Sequence, residues 1–157
     1  MGSALRLVVC LALCFTVAVS GAYVTRPEIP TWYATLEKPW WTPPNWLFPV
    51  AWNILYALMA LSLWRLWRRA RDHAEGARRA ISLSLLQLAL NAAWSPVFFG
   101  LHAIRSGLAI MVALVFVLFA TILAAHRVDR PAAWLLAPYL GWIIYATSLN
   151  IGIALLN

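Results

Sequence analysis

The sequence predicts an all-α fold, an integral membrane bundle of five transmembrane helices, on three observations. Of the 157 residues 64% are hydrophobic and 11% charged, so a soluble domain of this size would leave much apolar surface in water. Five apolar runs, at about 4–24, 46–67, 79–101, 105–126 and 132–156, each have the roughly 20 residues that a helix needs to cross a bilayer. The basic residues gather at the ends of these runs or between them. The runs cover most of the chain, which reads as one transmembrane domain over 1–157 with a folded first loop at about 25–45.

The first run begins like a secretory signal, with Arg6, an apolar stretch and small residues at Ala18–Ala22. Its apolar stretch from Leu7 to Val24 is long for a signal core, so it is expected to remain as the first helix. The connector that follows, Thr31 to Pro44, holds Trp32, Trp40, Trp41, Tyr33 and three prolines. Disordered linkers are poor in aromatics, and long connectors are often lids or binding loops. The expectation is a folded aromatic lid.

Charge sets the expected orientation. The net charge is +7. With five spans, Arg6, Arg65, Arg68, Arg69, Arg71, Arg78, Arg79, Arg127 and Arg130 fall on one side, and Arg26, Lys38 and Arg105 on the other. The positive-inside rule then places the N-terminus inside and the aromatic loop outside. The cluster Arg65–Arg79 is expected to anchor the chain to anionic lipid. It carries no recognition motif, so no nucleic-acid partner is expected.

No Asp, Glu, Lys, Arg or His lies mid-span, which argues against an ion-coupled transporter or pump. The polar residues at depth are neutral. Asn53 lies in the second run, Gln87 and Asn91 lie one turn apart in the third, and Thr147, Ser148 and Asn150 lie in the fifth. They serve either as interhelical glue or as polar fixing points in an apolar pocket. Aromatics recur around them at helical spacing: Trp52 and Tyr56; Asn91, Trp94 and Phe98; Tyr139, Trp142, Ala146 and Leu149. Trp52, Trp94 and Trp142 sit inside the spans rather than at the interfaces that tryptophan favours. A buried indole N–H needs a partner, so these rings are expected to face inward, near one another and near Asn91. Pro49, Pro96 and Pro138 are expected to kink their helices. The fourth run, Gly107 to Ala125, offers no chemistry beyond packing and lipid contact. Small residues four apart (Ala89 and Ala93, Ala109 and Ala113, Ala120 and Ala124) would suit close helix association within the chain or between two copies. Cys10 and Cys14 read as small buried side chains, and His73, His102 and His126 as interfacial. No metal and no cofactor is expected.

Three motifs carry a resemblance. Trp32-Tyr33-x-x-Leu36-x-Lys38-Pro39-x-Trp41-x-Pro43-Pro44 is followed by Phe48 and Trp52. Asn91-x-x-Trp94-x-Pro96-x-Phe98-Phe99 lies in the third run, and Pro138-Tyr139-x-x-Trp142-x-x-x-Ala146-x-x-Leu149-Asn150 in the fifth. On these the chain is identified as a bacterial member of the translocator protein family, also called tryptophan-rich sensory proteins or peripheral-type benzodiazepine receptors. The resemblance runs from Tyr23 to Asn150 and favours a retained first helix. It implies a five-helix bundle, commonly a homodimer in the lipid bilayer. It also implies a receptor or sensor that binds porphyrins such as protoporphyrin IX, sterols, isoquinoline carboxamides and benzodiazepines. The implied pocket lies under the first loop among spans one, two, three and five, with Tyr33, Trp52, Tyr56, Asn91, Trp94, Trp142, Ala146 and Leu149 facing the ligand. Arg26 and Lys38 would stand near its mouth, placed to attract propionates.

Two alternatives stay open. In one the chain degrades porphyrin with light and oxygen, with Trp52 and Trp142 as the catalytic residues that the resemblance implies; no acid–base pair, nucleophile or metal site of the usual kinds is present. In the other it transports porphyrin or sterol. One departure bears on sterols: a cholesterol motif needs a basic residue after its tyrosine. Leu140 and Tyr145 are present, but no basic residue follows Arg130 in this sequence.

Overall fold

A computed structural model describes residues 2–157, and they form helices with no strand among them. The helices are α1 (Ser3–Glu28), the short α2 (Trp32–Thr35), α3 (Leu47–Arg69), α4 (Ala74–Ser95), α5 (Ile104–Val128) and α6 (Arg130–Leu156). A π turn, Pro96–Gly100, prolongs α4. The five long helices each have the length and apolarity to cross a membrane, as expected for a chain that must satisfy its backbone polar groups internally in lipid. Their neighbours make a ring: α1 packs on α3, α3 on α6, α6 on α5, α5 on α4, and α4 back on α1. Buried Leu55, Met59, Leu114, Leu118, Leu136 and Ile143 fill its centre.

The spans outrun their apolar stretches. The third begins at Ala74 rather than at residue 79, because helical bonding continues through the polar turn and Ala77 packs into full burial. The first continues through Pro27 to Glu28. Ala89 and Ala93 face away from the bundle, so that pair does not pack helices within the chain.

The prolines act differently from three simple kinks. Pro49 lies in the first turn of α3, where a missing N–H leaves no intrahelical bond unmade. Pro96 opens the π turn, closed by the Leu101 N–H donating to the Pro96 carbonyl at 2.9 Å. This wide turn lets the adjacent Phe98 and Phe99 both stay buried. Gly107 makes room for Phe98, since a Cβ there would stand 3.0 Å from its ring. Only Pro138 lies deep inside a helix, α6.

Two ends of the bundle differ. At the arginine end Asp129 alone joins α5 to α6 and caps α6, its Oδ1 accepting from the Ala132 N–H at 3.0 Å. Arg65 and Arg69 of α3 each donate to this buried carboxylate from 3.0 Å. Two of the arginines expected to anchor lipid are thus tied to protein. Burial pushes the Asp129 carboxyl up, but the hydrogen bonds from Arg65, Arg69 and the Ala132 N–H, with the Arg65 charge, outweigh it and hold the group below its ordinary value. Exposed Trp134 at this end and exposed Trp40 and Trp46 at the other suit the two aromatic belts of a membrane protein.

Candidate functional site

The other end carries the lid, and a cavity of about 580 Å³ lies beneath it. The lid is folded, as expected, and its fastenings come from distant parts of the chain. Tyr145 of α6 donates its hydroxyl to the Trp41 carbonyl at 2.8 Å. The Asn157 side chain accepts from the Glu37 N–H at 3.0 Å and donates to the Glu37 carbonyl at 2.9 Å. Pro39 packs so closely on Gly152 that a Cβ there would come within 2.7 Å of its Cγ. Trp32 stacks on His102 with centroids 4.3 Å apart, and His102 Nε2 lies 3.0 Å from Glu28. Trp40, 91% exposed, plays no part in the roof.

The cavity's walls come from every long helix. The eight residues singled out from the sequence, Tyr33, Trp52, Tyr56, Asn91, Trp94, Trp142, Ala146 and Leu149, all lie on them. Span one was expected at the pocket through the resemblance, but none of its residues was picked out; on α1 the wall is formed by Phe15, Ala18, Ala22, Thr25 and Ile29, which recur every three or four residues. That spacing was visible, but small apolar residues on a first span look the same whether they face lipid or cavity. The sequence reading overlooked Met111, through which the fourth span contributes to the floor rather than to packing alone.

The polar groups take partners other than those expected. Asn91 meets phenols, not indoles: its Oδ1 accepts from Tyr56 at 2.6 Å and its Nδ2 donates to Tyr139 at 2.7 Å. Tyr139 is fully buried behind the wall, so one carboxamide joins α3, α4 and α6. Trp94 Nε1 donates to Asn150 at 3.3 Å, and Asn150 in turn donates to the Ile104 carbonyl. Trp142 Nε1 is buried with no partner among the described residues. Asn53, Thr147 and Ser148 bond carbonyls of their own helices, so they are not interhelical glue. Gln87 reaches across to the Met59 sulfur and stands outside the cavity.

Aromatic faces dominate what remains. Trp52 lies between Tyr56 and Tyr139, with centroids at 5.5 and 6.1 Å. Trp94 stacks on Phe98 at 5.1 Å, and Phe48 meets Trp142 edge-on at 6.0 Å. Among the described residues Arg26 is the one charged residue on the wall. It stands at the rim and pairs with no acid among the described residues. Lys38, expected beside it, instead donates to the Leu36 carbonyl and covers the Tyr33 ring at 4.7 Å. Burial, aided by the nearby Tyr145 phenol, raises the Tyr33 pKa and keeps that phenol neutral. His73, His102 and His126 are exposed and off the wall, and the described residues hold no cluster of metal-ligating side chains. The arrangement suits a flat, mostly apolar molecule with an anionic edge.

The comparisons with known proteins agree with this architecture. Residues 10–156 match the model of the TspO/MBR family. The chain is 39% identical to tryptophan-rich protein TspO of Archaeoglobus fulgidus, covering 98% of this chain and 97% of that one. It is 40% identical to the tryptophan-rich sensory protein of Cereibacter sphaeroides, over 94% and 88% of the two chains. The human translocator protein is 36% identical, over 88% of this chain and 85% of its own. With a lidded five-helix membrane bundle, a family match over nearly its whole length and relatives this similar, the chain belongs to the TspO/MBR family.

Proposed function

We propose that the chain is a membrane receptor or sensor whose cavity binds a flat hydrophobic tetrapyrrole of the protoporphyrin IX kind. Family membership supports the receptor or sensor role. The observation that carries the ligand class is the pairing of aromatic walls with one rim cation. Ring faces offer area and stacking, Arg26 meets an anionic edge, and the deeper wall carries no charge. Its volume of about 580 Å³ falls among small-molecule sites, which span roughly 300–1,000 Å³. Sterols, isoquinoline carboxamides and benzodiazepines would compete for the same space. On this reading the lid faces outward, the arginine end faces inward, and the chain works as a homodimer.

The test is a titration. Ala146 lines the cavity, so Ala146→Phe fills it. Protoporphyrin IX should quench the tryptophan fluorescence of the wild type in nanodiscs, and Ala146→Phe should bind roughly tenfold or more weakly. Equal affinities would show that the porphyrin sits elsewhere.

A second reading rests on Trp52, an oxidisable indole flanked by two phenols on the cavity wall. In it, light and oxygen degrade the bound porphyrin with Trp52 and Trp142 taking part. Illumination with and without oxygen separates the two. An oxygen-dependent product formed beyond one equivalent per protein favours degradation, and its absence leaves the receptor.

A further inference from the structure

Trp142 belongs to two hollows. It lines the cavity under the lid, and it also lines a shallow groove of about 340 Å³ on the outer surface between α3 and α6. Ala51 and Ile54 of α3 and Pro138, Gly141 and Tyr145 of α6 form most of that groove. Trp142 is the single residue the two hollows share.

We propose that the groove is a docking vestibule for the flat hydrophobic ligand, and that Trp142 is the side gate through which the ligand passes between bilayer and cavity. This rests on the reading that the cavity binds such a ligand, and adds the route. The occupant follows from continuity: whatever displaces the indole from the groove enters the cavity directly.

Several features make this seam a thin one. The Trp142 indole N–H has no partner among the described residues, whereas that of Trp94 is fastened to Asn150. Its neighbours Phe48 and Tyr145 touch it only through ring contacts, at 6.0 and 5.7 Å. Pro138, one turn before it, removes the α6 hydrogen bond to the Trp134 carbonyl and so loosens the helix where the gate would swing. Ala51 and Gly141 leave the groove open, and a Cβ added at Gly141 meets nothing within 4 Å. On the α5 side the wall is thick: fully buried Leu114, Leu118 and Leu136 pack the bundle there. The lid, the obvious rival route, is fastened to α6 at Tyr145, Gly152 and Asn157. A hydrophobic ligand partitions into the bilayer, so a lateral route meets it where it is concentrated.

The experiment uses the full chain in nanodiscs and stopped-flow tryptophan quenching by protoporphyrin IX. Gly141→Phe fills the groove from α6 and Ala51→Phe from α3, and neither residue lines the cavity. Each should slow association and dissociation together, by roughly tenfold, and leave the equilibrium affinity within about twofold. Unchanged rates in both variants, with wild-type binding intact, overturn the gate and leave the groove to lipid acyl chains. A loss of affinity without slowing in both also overturns it. A wild type that binds no porphyrin overturns the cavity reading and the gate with it.

Discussion

A single carboxamide, that of Asn91, joins three helices by accepting from Tyr56 and donating to Tyr139. Replacing it with leucine leaves two buried phenols without their partner. An unmade buried hydrogen bond costs about 1–3 kcal/mol, so Asn91→Leu should lose stability in that range, read by thermal unfolding in detergent. A melting curve like the wild type's would show that the amide does not tie the helices. Asn91 stood out in the sequence because a neutral polar residue at depth, flanked at helical spacing by aromatics, has little reason to face lipid. Its partners could not be read there. Tyr56, Tyr139 and three indoles were all in range by spacing, and the rotation of each helix about its axis decides which ring arrives. The same freedom hid which α1 residues face the cavity, since Ala18 and Ala22 carry no polar atom to betray their direction.

At the scale of elements the lid shows what composition can and cannot tell. Its three tryptophans and three prolines announced a folded segment. Its fastenings lie far along the chain, Glu37 to Asn157 and Trp41 to Tyr145, and no local pattern marks contacts over such separations. Gly152 offers the sharpest test, because Pro39 occupies the space a side chain would need. Gly152→Val should push the lid off α6. Backbone hydrogen exchange should then quicken at Glu37, with roughly a tenfold loss of protection, while the α4 and α5 cores exchange as before. Unaltered protection at Glu37 would mean that the lid does not depend on this contact. The spans themselves were legible to within a few residues, apart from the start of α4 and the end of α1, because hydropathy marks the bilayer while hydrogen bonding sets where a helix ends.

For the whole molecule, Asp129 closes the arginine end by linking α3 to the α5–α6 junction. Removing its charge leaves Arg65 and Arg69 without their partner. Both are partly solvated, at 32% and 50% side-chain exposure, so the loss on Asp129→Asn should be modest for a buried carboxylate, about 1–2 kcal/mol. The sign of the pH dependence follows from the lowered pKa. The stabilisation is present above the ordinary carboxylate value of 3.8, and disappears as pH falls below that value through the lowered one. Wild type should therefore lose melting temperature in that acid window more steeply than Asp129→Asn, measured by thermal unfolding in micelles stable to acid. Parallel curves would remove Asp129 from the account. The arginine excess at this end was plain in the sequence, but the division between lipid-facing and protein-bound guanidinium groups was not, since Asp129 lies some sixty residues from its partners.

One consequence follows from where Arg26 stands. Among the described residues it is the sole formal charge along the cavity, placed at the rim, while Met111, Phe15 and Tyr56 line the greasy far end. The hollow therefore has a polarity, like a socket with one live contact at its mouth. An amphiphile with all its acids on one edge would seat in a single sense, acids upward. A guest bearing ions on opposite edges would have to strip water from one of them against hydrocarbon, and would be turned away however well its outline matched.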